Sequence, residues 1–106
     1  MTRNLHSLSG PLLLMALSVP GSFAAGEKPQ DTYKAMCQGC HGSSGRAAPV
    51  GKGLGARDFK DPAIAKMSSL ELTRVIAKGK NKMPPYEGRL TPEQIRDLAR
   101  YIRELK

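Results

Sequence analysis

A chain of 106 residues holds one small domain, and chains of this size build only marginal cores on their own. Its net charge of +8 suits acidic protein surfaces or anionic membrane. Only two Phe and three Tyr are present, with no basic–aromatic interleaving, so nucleic acid is set aside as a partner.

Residues 1–24 read as a secretory signal peptide. Arg3 sits in a short polar region, Leu12-Leu13-Leu14-Met15-Ala16-Leu17 forms an apolar run, and Pro20-Gly21 breaks it. Ser22-Phe23-Ala24 then supplies small residues at the two positions a signal peptidase reads. The run falls well short of the ~20 apolar residues of a membrane span. Cleavage is expected after Ala24, with Ala25 the second choice, leaving residues 25–106 as a single exported domain in the periplasm. An uncleaved leader acting as a tether is the alternative. The cut removes Arg3 and no acidic residue, so the domain stays basic.

Lys28 to Asp31 is a polar lead-in, and a first helix is expected from about Asp31 or Thr32. Tyr33, Met36, Cys37 and Cys40, at spacings of three and four, lie along one face of it. The helix runs into Cys37-Gln38-Gly39-Cys40-His41, and Gly42-Ser43-Ser44-Gly45 ends it. Two cysteines three positions apart with a histidine directly after the second are the attachment signature of a c-type haem. Each thiol can add across one vinyl group, because a turn of helix presents both sulfurs to one edge of the porphyrin. The imidazole of His41 can then reach the iron as proximal ligand.

Three other readings compete. A thioredoxin-like redox pair wants a βαβ setting, and no Val/Ile-rich alternating strand precedes Cys37. A structural zinc site takes four ligands, and the chain has no further cysteine. A structural disulfide makes the adjacent His41 an accident. A buried porphyrin, by contrast, supplies the apolar plate that so short a chain lacks, which predicts a poorly folded haem-free form.

From Arg46 to Lys60 the pattern is loop, with Pro49, Gly51, Gly53 and Gly55 leaving little room for a regular element. Its glycines let the backbone approach the cofactor closely. The Pro49 carbonyl is a candidate acceptor for the Nδ1–H of His41, and a plain turn role is the equal alternative. Arg57 and Lys52 are candidate propionate partners, with an ordinary solvated charge the simpler reading. Asp61-Pro62 opens a short helix to Lys66 or Met67. Ser68-Ser69-Leu70-Glu71 fits a capping box, Leu72, Val75 and Ile76 form the next apolar face, and Gly79 stops it.

Lys80-Asn81-Lys82-Met83-Pro84-Pro85-Tyr86 follows, stiffened by two prolines that hold Met83. Thr91-Pro92-Glu93-Gln94 starts the last helix with both a first-turn proline and capping-box spacing. Ile95, Leu98, Ile102 and Leu105 form its buried stripe, with Ala99 and Tyr101 near the edges and Arg96, Arg100 and Arg103 mainly on the wetter side. No repeat is found, and a monomer is expected because no apolar stripe is left unassigned.

The distal iron position narrows to methionine, since His6 lies in the leader and no other histidine is present. Met36 adjoins Cys37 and is poorly placed to reach the opposite face, and Met67 reads as core. Met83, beyond an intervening helix on the stiffened segment, is the leading candidate, with an open position the main alternative. A methionine partner raises the potential relative to bis-histidine ligation.

These features together resemble the class I c-type cytochromes, especially the small bacterial c-551, c-553 and c6 kind. The resemblance rests on Cys37-Gln38-Gly39-Cys40-His41, the glycine-rich stretch with Pro49, Lys82-Met83-Pro84, and the final helix with Tyr101, and covers residues 31–106. It implies an all-α cytochrome c fold, three to four short helices around one covalently bound haem c. Cys37 and Cys40 would be the thioether cysteines, His41 and Met83 the axial ligands, and Pro49 the acceptor for the His41 ring. Tyr101 would pack between the terminal helices. Pro85 and Tyr86 depart from the small residue that many relatives carry after the Met-Pro pair.

The expected function is that of a periplasmic single-electron carrier, not an enzyme, working between a respiratory or photosynthetic donor and acceptor. Lys78, Lys80 and Lys82 are the candidate docking patch for acidic redox partners. The alternatives are a haem protein with an open distal site for gas or peroxide, and a dedicated subunit of a dehydrogenase or oxidase complex. Against the open site, no histidine remains for acid–base chemistry on a distal ligand.

Overall fold

A computed structural model describes residues 10–11 and 27–105, so the leader reading and His6 lie outside the described residues. The described chain is helical, with six segments in the order α1 Pro29–Met36, α2 Gln38–His41, α3 Pro49–Gly53, α4 Pro62–Ala65, α5 Ser69–Lys78 and α6 Pro92–Glu104. The all-α expectation holds, whereas three to four helices was too few. One extra segment comes from a break at Cys37 and another from a helical turn inside the stretch expected to be loop.

Each start has a local cause. α1, α3, α4 and α6 each carry proline in the first turn, where its fixed φ suits the helix and its missing N–H costs nothing. α1 therefore begins at Pro29, within the segment read as a lead-in. Asp61 caps α4 by accepting from Ala63 N at 2.9 Å. Both capping boxes form: Ser68 with Glu71 at 3.1 and 2.8 Å, and Thr91 with Gln94 at 3.1 and 2.8 Å. Each box satisfies donors that a bare helix end would leave unpaired.

α6 is the hub. It packs on α5 and on α1, burying Ile95, Leu98, Ala99 and Ile102 against Tyr33, Leu72, Ile76, Tyr86 and Leu90. Side chains such as Leu98 each contribute about 1.5–3 kcal/mol when fully buried. Ala99, expected near the edge, lies in the core at 1% exposure. Tyr101 meets Tyr33 edge-on, with ring centroids 5.4 Å apart, and so joins α6 to α1. Arg103 stays exposed but donates to the Met67 carbonyl at 2.9 Å, fastening the end of α6 to the α4–α5 link.

This packing leaves the other ends of the elements free to surround a cavity. α2 and α3 stack on each other, and the segment after α5 returns toward them.

Candidate functional site

The cavity has a volume of about 440 Å³, inside the roughly 300–1,000 Å³ range of small-molecule and cofactor sites. Met36, Cys37, Cys40 and His41 form one wall, and Lys80 to Pro84 form another. Ile64, Met67 and Val75 supply apolar surface between them.

The first wall is built by a tightened turn. Cys37 sits at φ −117°, ψ −37°, where α1 gives way to α2, and both Cys40 N and His41 N donate to its carbonyl, at 3.2 and 3.0 Å. The two cysteines and His41 thereby share one short helical span. Burial pushes the Cys37 thiol up to about 11, and it is unpaired with Cys40. A reactive redox cysteine needs its thiol moved the other way, which counts against the thioredoxin-like reading. Among the described residues no group of three or more His, Cys, Asp or Glu side chains is placed to hold a metal ion, which counts against zinc.

His41 is half-buried, and burial lowers its imidazole below the ordinary value, favouring the neutral form that binds metals. Its Nδ1 is buried without a hydrogen-bond partner. Here the structure departs from expectation. Pro49, the expected acceptor, is exposed at the start of α3 and is absent from the cavity wall. The ring instead stacks on Phe59, with centroids 5.0 Å apart and planes at 29°. Nothing in the spacing of the sequence points to Phe59, which joins the site only through the fold.

The expected loop of residues 46–60 contains α3, and Gly51 explains why a helical turn fits there. Ala48 N donates to Cys40 O at 2.9 Å, and a Cβ at Gly51 would overlap that same carbonyl. The glycine thus lets α3 close directly onto the Cys40–His41 peptide and line the cavity.

The opposite wall is more tightly held than two prolines alone would require. Lys80 N donates to Met83 O at 3.1 Å and Met83 N to Lys80 O at 2.9 Å, closing a turn with Asn81 at φ 53°. Asn tolerates that left-handed conformation, so Asn81 was the available signal for the turn. Gly79, at φ 75°, gives this segment passage, since a Cβ there would lie 2.6 Å from Met83 O. Beyond it, Tyr86 N and Glu87 N donate to Ile76 O and Ala77 O at 3.0 and 3.1 Å, using carbonyls that the end of α5 leaves over. Met83 is half-buried in the wall.

Lys80, Lys82 and Arg57 line the mouth. Lys78 instead pairs with Glu87 at 2.9 Å, and Arg57 lies 3.4 Å from Asp61. Lys52 is exposed and outside the wall.

Two free thiols on one helical turn, a half-buried imidazole with an orphaned nitrogen, and a methionine in the lining of the same apolar cavity fit a c-type haem. Residues 24–102 match the family model described as cytochrome c oxidase, cbb3-type, subunit III. The chain is 31% identical to cytochrome c6 of Nostoc sp. over 86% of its length and 80% of the relative's. It is 33% identical to cytochrome c6 of Limnospira maxima over 77% of its length and 91% of that protein's. The KustC0563 c-type cytochrome superposes with a TM-score of 0.70 at 33% identity, covering 76% of this chain and 99% of that one. The chain belongs to the class I c-type cytochromes. That membership supports haem c as its cofactor and electron carriage as its activity.

Proposed function

We propose that the protein is an exported, periplasmic electron carrier with one haem c, attached through Cys37 and Cys40 and held axially by His41 and Met83. The observation that carries this reading is the cavity itself, which Cys37, Cys40, His41 and Met83 all line. The haem supplies a one-electron Fe(III)/Fe(II) couple. The chain's residues do the rest. Cys37 and Cys40 fix the group by its edge, and His41 offers a neutral nitrogen. Met83 would offer the iron a soft sulfur as its second protein ligand, which would keep exogenous molecules from the metal. Ile64, Met67 and Val75 give the cavity apolar lining, which would keep water from the bound group.

Lys80 and Lys82, with Arg57, stand at the mouth and suit an acidic redox partner meeting the chain through a small, weak interface. Lys78 belongs to this patch only as a charge already balanced by Glu87. Among the described residues no helix is long and apolar enough to cross a membrane. A monomer remains the working expectation.

The deciding experiment is an absorption spectrum of the purified protein, ferric and ferrous, with CO added to the ferrous form. A methionine–iron charge-transfer band with indifference to CO is expected. Ready CO binding without that band would transfer the case to an open-site haem protein. Electron-transfer rates to an acidic partner should fall with ionic strength, and salt-independent rates would exclude steering by the mouth lysines.

A further inference from the structure

Tyr86 is held at several points by distant parts of the fold. At the Cys37 turn both Cys40 N and His41 N converge on the Cys37 carbonyl. In a regular helix Cys40 would instead donate to the carbonyl of Met36, so the tightened turn releases that carbonyl. The Tyr86 hydroxyl donates to it at 3.2 Å, bridging 50 residues of sequence. The ring is only 8% exposed, the Arg89 guanidinium covers it 5.1 Å from the centroid, and Tyr86 N is tied to Ile76 O at 3.0 Å.

We propose that Tyr86 is a positioning residue that ties the Met83 segment to the carbonyl preceding Cys37, so that its hydroxyl sets how firmly Met83 stays on the iron. The inference rests on the His41/Met83 reading of the site. Only Pro84 and Pro85 separate Tyr86 from Met83, and each proline fixes its own φ, so displacement at Tyr86 is passed along the chain instead of being absorbed. The Lys80–Met83 turn anchors the other end. The peptide that receives the hydroxyl also carries the N–H of Cys37, so one hydrogen bond couples the methionine segment to the cysteine-bearing turn.

The test is a titration of the ferric protein with imidazole, which competes with a methionine ligand. Tyr86→Phe keeps the ring and removes only the hydroxyl. It is expected to bind imidazole about three- to tenfold more tightly than the parent, the factor that the net worth of one hydrogen bond sets. Ser68→Ala removes a cap at the far end of α5 and serves as the comparison. It should lower the thermal midpoint while leaving imidazole affinity unchanged. Equal imidazole affinity in Tyr86→Phe and parent overturns the inference, as does an equal gain in Ser68→Ala, which would make the effect one of general stability. A parent lacking the methionine–iron band removes the His41/Met83 reading and the inference together. A parent with the band and an unaltered Tyr86→Phe variant removes the inference alone.

Discussion

The two walls of the cavity are built by opposite means. The wall of Cys37, Cys40 and His41 is local: five consecutive residues, one helical turn, hydrogen bonds of three and four residues' reach. The wall of Met83 is a non-helical segment whose place depends on partners ten and fifty residues away, Ile76 and Met36. Helix geometry fixes the first almost regardless of surroundings, whereas the second exists only once α1, α5 and α6 have packed. If the His41/Met83 reading holds, the Met83 side should loosen before the cysteine turn does.

The largest effect tests the first wall. Replacing both Cys37 and Cys40 with Ala should abolish retention of haem under denaturing conditions, read by peroxidase staining of a denaturing gel. Stain persisting on the double variant would end the covalent assignment. Met83→Ala should leave that stain intact yet let CO bind the ferrous protein. Loss of the stain as well would mean that the two walls do not act separately.

A sharper comparison lies within α3. Gly51→Ala drives a methyl group into the Cys40 carbonyl and should cost about 1–3 kcal/mol in denaturant unfolding. Gly53 has open space around its Cβ position, so Gly53→Ala should be neutral or stabilising by up to about 1 kcal/mol. Opposite signs from two substitutions two residues apart would locate the close contact. Equal effects would mean that α3 does not press on the cysteine turn.

The smallest effect concerns pH. Burial, with smaller contributions from Cys37 and Tyr101, pushes the Tyr33 phenol up to about 12, and its hydroxyl donates to Gly42 O at 2.6 Å. The folded chain thus holds this proton more tightly than the unfolded chain, whose tyrosines titrate near 10. The associated stability is complete below pH about 10 and drains away as pH rises toward 12. Tyr33→Phe should flatten that decline in alkaline unfolding curves without removing it, because burial raises Tyr86 in the same direction. An unchanged slope would mean that Tyr33 ionises as freely in the folded chain as in the unfolded one.

Much of this architecture was legible in the residues. Asp61, Ser68 and Thr91 mark helix starts because capping is a contest among neighbours in sequence. The spacing of Ile95, Leu98 and Ile102 declares a buried face for the same reason. The cysteine–histidine motif carries its chemistry within five positions. α3 was missed because glycines in sequence argue against a helix, and only the nearby Cys40 carbonyl shows why Gly51 belongs in one. The order of residues makes the Pro49 carbonyl a candidate acceptor for His41, level with a plain turn role, but gives no sign of Phe59, which reaches the ring through packing on Tyr33 and His41.

The sequence by itself determined the starts of α4, α5 and α6 and the apolar faces of α5 and α6, since these depend on interactions within about four positions. Only the tertiary structure decided which aromatic meets His41, how Lys78 is paired, and what holds the Met83 segment in place. Those contacts join residues distant along the chain, and their geometry follows from how three helices share one core, which no local pattern encodes.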